Sequence, residues 1–110
     1  MARLIFEKEF DPPLTEEQHN LDGERVDPCL EAYGARWIRS YLSTDRRRIV
    51  CEFEADDAEA VRSAFRSAGI AFARVWTAEV FEPGAGANGG WRERLRSRGE
   101  RGPQQGDAQK

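Results

Sequence analysis

The apolar residues of this chain change period along its length, and that change restricts the fold more than any other feature. Residues 3–10 alternate, with Leu4, Phe6 and Phe10 on one side and Ile5, Glu7 and Glu9 on the other, which predicts a strand with one buried face. Asp11, Pro12 and Pro13 stop it, and Thr15 followed by Gln18 has the spacing of a capping box that starts a helix. The helix's apolar stripe is weak near Gly23 and firms up at Val26, Cys29, Leu30 and Tyr33; Asp27 and Pro28 predict a restart or kink there, and Gly34 an end. Alternation returns over residues 35–43, with Trp37, Arg39 and Tyr41 opposite Ile38, Ser40 and Leu42. A turn at Thr44, Asp45 and Arg46 then leads into a strand over residues 47–55, giving a hairpin. Asp56 with Glu59 reads as a second cap, and Ala60, Val61, Ala64, Phe65 and Ala68 fall at helical spacing before Gly69. A last strand is predicted over residues 74–82, where Pro83 and a run of glycines end the pattern.

Strand, helix, strand, strand, helix, strand is the split βαβ plan: an α+β sandwich with a four-stranded antiparallel sheet and both helices on one face. Residues 1–82 form the expected domain and residues 83–110 a Gly/Arg-rich disordered tail, in which residues 91–98 have the makings of a short helix. A domain of roughly 80 residues is near the size at which a single core is only marginally sufficient, so pairing with a second copy would help it. With Leu4, Phe6, Ile38, Leu42, Ile49, Cys51 and Phe53 turned to the helices, the bare face carries Ile5, Glu7, Glu9, Trp37, Arg39, Tyr41, Val50, Glu52, Val75, Thr77 and Glu79.

Charge and composition narrow the function. Through Glu82 the chain has 11 basic and 17 acidic residues, a net −6, and beyond it 6 against 3, a net +3. An acidic domain argues against nucleic acid as its partner, because phosphate neutralisation needs a basic surface. Arg92, Arg94, Arg96, Arg98 and Arg101 make the tail either a weak anion binder or, the plainer reading, a solvated arm. No stretch approaches a membrane span and the amino terminus lacks the pattern of a secretion signal, so a cytoplasmic address is expected. Cys29 and Cys51 are too few for a disulfide framework and are expected as reduced core residues.

The bare face is the expected ligand site. A surface mixing Ile, Val and Trp with Glu, Arg and Tyr is too apolar for open water and too charged for a plain core. Two such sheets packed face to face would form a dimeric α/β barrel whose cavity is lined by Glu7, Trp37, Arg39, Tyr41 and Glu52, with Arg39 between the two carboxylates. The competing reading is a set of cross-strand ion pairs with no ligand. Neither cysteine has a histidine at useful spacing for nucleophilic catalysis. The single histidine, His19, sits beside Glu16 and Asp22 at helical spacing; His19 with Asp22 is the candidate metal pair, against the alternative of an ordinary surface histidine.

Several runs resemble a family of small bacterial ferredoxin-like proteins, described as a domain of unknown function, that includes a nickel-binding member. They are Phe6-Glu7-Lys8-Glu9-Phe10, the helix start Leu14-Thr15-Glu16-Glu17, Cys29 with Trp37-Ile38-Arg39-Ser40-Tyr41, and the run from Cys51 to Arg62, within residues 3–82. The resemblance implies a dimer on a ferredoxin-like sheet, with metal or small-molecule binding as its activity. Tyr33 stands before Gly34 where the family pattern often has histidine, so that position offers no imidazole. Imidazole suits nickel, zinc and copper alike, so the residues do not name the ion.

The expected function is therefore that of a cytoplasmic homodimer that binds a divalent transition metal, nickel by resemblance, or a small ligand. The alternatives are a cofactor-free dimeric α/β-barrel enzyme, in which Tyr41 or a carboxylate moves a proton in a small organic substrate, and an interaction module working through its tail.

Overall fold

In the computed structural model, which describes residues 1–83, each period becomes the element it predicts. The order is β1 (Ala2–Glu9), α1 (Glu16–Ala32), β2 (Arg36–Leu42), β3 (Arg48–Ala55), α2 (Ala58–Ser67) and β4 (Arg74–Ala78). The strands form one antiparallel sheet in the order β2-β3-β1-β4, with β3 and β1 in the middle. Met1–Glu79 is one compact unit, and of the residues beyond it only 80–83 are described. The expected tail and its short helix lie outside the described residues.

Alternation drives the sheet. Ile49, Cys51, Phe53 and Ala55 of β3 are buried in strict period two, and Leu4 and Phe6 of β1 pair with Phe53 and Cys51 on the same face. Phe65 of α2 stacks on Phe6 at 4.2 Å between ring centroids, with Phe53 meeting Phe65 edge-on at 5.8 Å. Such offset and edge contacts are the favoured geometries of aromatic pairs. Ala58, Val61, Ala64 and Phe65 are buried along one stripe of α2, and its small alanines let the helix lie close on the sheet.

Four expectations are corrected. First, β4 is shorter than residues 74–82 and its register is shifted by one. Val75 is buried opposite Phe6, while Trp76 faces outward opposite Ile5 and Thr77 pairs with Leu4. Second, a β-bulge between Trp37 and Arg39 breaks the alternation of β2. Trp37 pairs with Phe53 on the helix side rather than the bare side, and Ile38 is left without a register partner. An extra residue in one strand reverses the facing of everything before it. Third, α1 does not restart at Pro28; it continues to Ala32 with that proline inside it, between the buried Val26 and Leu30. Fourth, Asp57, not Asp56, caps α2, accepting from the Ala60 amide at 3.0 Å.

The other end signals act as expected. Thr15 accepts from the Gln18 amide at 3.1 Å, but the Gln18 side chain reaches Asp22 instead of closing the box. Gly34 (φ +71°) and Gly69 (φ +73°) end the helices in the left-handed conformation that glycine adopts without strain. A Cβ on Gly69 would also stand 2.9 Å from the Arg25 guanidinium. That guanidinium donates to the Ala68 carbonyl at 2.6 Å and so binds α1 to the end of α2. Both cysteines are free thiols, Cys51 buried and Cys29 partly so.

Candidate functional site

The sheet's outer face, opposite the helices, carries Arg3, Ile5 and Glu7 from β1, Val50, Glu52 and Glu54 from β3, Arg36, Arg39 and Tyr41 from β2, and Arg74 and Trp76 from β4. Its charges are paired across strands. Arg39 Nε lies 2.7 Å from Glu52 Oε1, Arg3 reaches Glu52 at 3.4 Å and Glu54 at 3.5 Å, and Arg36 meets the other oxygen of Glu54. Glu7 pairs with Arg74 at 3.2 Å and accepts from the Trp76 indole at 2.8 Å, so Arg39 holds one carboxylate rather than two. Arg36 chiefly, then Arg3, draws the Glu54 carboxyl below the usual glutamate range against a smaller opposing effect of burial. Two atoms of this network, Arg3 Nε and Glu52 Oε1, are shielded from solvent yet make no hydrogen bond; Arg39 attracts Glu52 Oε1 by charge without aligning an N–H on it. Tyr41 and Trp76 remain 57% and 44% exposed beside these pairs.

On the other side of the sheet, α1 does not close down on the strands. It packs on α2 and seats only Val26 and Leu30 in the core, and beside them, between it and β1, β2 and β3, lies a half-open cavity of about 300 Å³. The floor is Phe6, Ile49, Cys51 and Phe53 of the central strands; the roof is His19, Asp22, Gly23, Val26, Asp27 and Leu30 of α1. Trp37 and Ser40 of the edge strand form one side, where the bulge has turned them inward together. They are joined by a short polar chain: the Trp37 indole donates to the Ser40 hydroxyl at 2.9 Å, and that hydroxyl donates to the Cys51 sulfur at 2.8 Å. Burial pushes the Cys51 thiol up despite the Ser40 hydrogen bond, which keeps it neutral and a poor nucleophile.

The predicted site residues thus divide. Glu7, Arg39, Tyr41 and Glu52 share the outer face, whereas Trp37 lines the cavity with His19 and Asp22. His19 and Asp22 are one turn apart on α1, and Asp22 also accepts from Gln18 at 2.9 Å and lies 3.8 Å from Arg25. Among the described residues no three His, Cys, Asp or Glu side chains come close enough to hold a metal ion together. The pair offers one imidazole and one carboxylate, half of the four donors of a closed transition-metal site. Reading the sequence passed over Ser40, Cys51 and Gly23 as members of a site. The signal for the cavity was the sparse stripe of α1 around Gly23.

No helix among the described residues is long and apolar enough to cross a membrane. No curated protein matches the chain. In structure it is similar to SCO4226 from Streptomyces coelicolor A3(2), known from its crystal structure, with a TM-score of 0.65 and 15% identity over 74% of this chain and 100% of that one. A likeness at that identity speaks for the fold, and the split βαβ sandwich is shared. The family profile described as nickel responsive protein SCO4226-like matches residues 5–77, which include both strands of the central pair, both helices and the roof of the cavity, and the chain belongs to that family.

Proposed function

We propose that this chain is a cytoplasmic, homodimeric binding protein that takes up a divalent transition metal, nickel first, or a small ligand. The observation that carries the reading is the placement of His19 and Asp22 together on one wall of a cavity, in a chain of the nickel responsive family. With two protein donors the remaining coordination positions fall to solvent, which gives an open, readily exchanging site, suited to responding to the ion rather than storing it. Binding belongs to the domain of residues 1–82.

The second copy belongs on the outer face. Ile5, Val50, Tyr41 and Trp76 would meet their counterparts across a two-fold axis. Glu7, Arg39, Tyr41 and Glu52 would line the seam.

Calorimetric titration of nickel into the metal-stripped protein, beside its mass by sedimentation, tests both parts. Expected are saturable binding of about one ion per chain, weakened at least tenfold by His19→Ala, and a dimer mass that Ile5→Lys halves. Nickel binding unaffected by His19→Ala removes the site, and a monomer mass in the native chain removes the dimer.

A further inference from the structure

The cavity under α1 has a chemistry of its own, distinct from the metal pair at its roof. Most of its wall is apolar: Phe6, Val26, Leu30, Ile49, Phe53 and Phe65 surround it. A cleft of this size beside a helix forgoes packing that the small core could otherwise have, and one residue makes the cost plain. Gly23 lies within α1, where glycine is among the least favourable residues, yet it neither adopts a positive φ nor accommodates a neighbour. A Cβ there would meet nothing within 4 Å. By contrast Gly34 and Gly69 each have a left-handed backbone to explain them. The only thing glycine provides at position 23 is room in the cavity roof.

The polar side of the cavity says what that room suits. The Ser40 hydroxyl gives its proton to Cys51 and receives one from Trp37, which leaves one acceptor position unused. Asp22 and Asp27 of the roof make the mouth unfavourable to an anion. Lys8, the cationic residue on the wall, is held by the Ala71 carbonyl at 2.7 Å and sits 5.6 Å from the Phe10 ring.

We infer that this cavity binds a small, uncharged aromatic molecule carrying one hydrogen-bond donor, its ring between Gly23 of α1 and the aromatic floor of the sheet and its O–H or N–H on the Ser40 oxygen. The volume, about 300 Å³, is at the lower end for ligand pockets and fits one or two fused rings. The inference does not depend on the nickel reading.

The test is a titration of the full chain, in metal-free buffer, with three probes followed by ¹H–¹⁵N spectra and by Trp fluorescence. 2-Naphthol has the donor, 2-methoxynaphthalene lacks it, and 2-naphthoate is an anion of similar size. Expected is saturable binding of 2-naphthol with shifts at residues around Gly23, Ser40 and Cys51, and affinity about tenfold weaker for the methyl ether, the effect of one hydrogen bond. The naphthoate should bind more weakly than 2-naphthol. Gly23→Leu should fill the roof, abolish 2-naphthol binding and raise the melting temperature. Ser40→Ala should erase the difference between 2-naphthol and its methyl ether without abolishing either. The inference is overturned if 2-naphthol does not saturate, if folded Gly23→Leu binds it as the parent does, or if the naphthoate binds equally well. If Gly23→Leu fails to fold, Ser40→Ala decides: an unchanged preference for the donor places the probe elsewhere.

Discussion

The two helices cover the same face of the same sheet in different ways. Helix α2 buries four of its ten residues and sets Phe65 into the Phe6 and Phe53 rings. Helix α1 is seven residues longer, buries only Val26 and Leu30, and tolerates both a glycine and a proline in its interior. Length is not what a helix contributes to a small core; the area it presses against the sheet is. One half of the layer is built to hold the domain together and the other half to leave space.

Mutations can break that contrast. Phe65→Ala should cost about 3–5 kcal/mol in urea unfolding, close to the whole stability of a domain this small. Leu30→Ala should cost about 2 kcal/mol, the low end for such truncations, because it enlarges an existing void instead of opening a new one. Equal losses would mean that α1 is as tightly packed as α2, and the contrast would fail. The caps sharpen it: Asp57→Ala and Thr15→Ala should each cost about 1 kcal/mol, since each removes one acceptor from an orphan helix amide whatever lies beneath the helix. Gly23→Ala should instead stabilise by about 0.5–1 kcal/mol, since the methyl group finds open space and the helix gains a better former.

The smallest effect is in the pH dependence. Glu54, Glu59 and Asp45 all have carboxyls held below their usual ranges, Glu54 chiefly by Arg36, Glu59 by Arg66, and Asp45 by the Ser43 hydroxyl. A group whose folded value is depressed stabilises the fold above its unfolded value and loses that contribution as the pH falls toward the folded one. Stability should therefore begin to decline below pH 4.5, the ordinary glutamate value, and Glu54→Gln should flatten the decline, as followed by thermal melts from pH 5 to pH 3.

The order of elements was legible in the sequence because period two and period 3.6 are physically distinct, and β1, β3 and α2 follow one of them cleanly. Registers were harder. In β4, Val75, Trp76 and Thr77 are all good strand formers, so alternation fits two frames, and only the pairing of Val75 with Phe6 decides between them. In β2 the bulge inserts a residue that a periodic reading cannot see, which put Trp37 on the wrong face and left Ser40 without a partner to suggest its role. Asp56 and Asp57 are chemically the same cap; the chain's path selects the second. Of the charges paired on the outer face, Glu7, Arg39 and Glu52 could be grouped from alternation, whereas Arg3, Arg36, Glu54 and Arg74 were passed over. The cavity could not be read, because it is set by the height of a helix above a sheet, which no local pattern encodes.

The bond between Arg25 and the end of α2 has a further consequence. Together with the Tyr33 hydroxyl, 3.3 Å from the Ser67 hydroxyl, it fastens α1 sideways to its neighbour near both the middle and the end of the helix. The first helix is thus a beam held at its side by α2 and from below by the buried Val26 and Leu30, with the hollow next to those anchors. Substitutions along the remaining roof of α1 can therefore resize the hollow without removing the Phe6, Phe53 and Phe65 rings that hold the domain together.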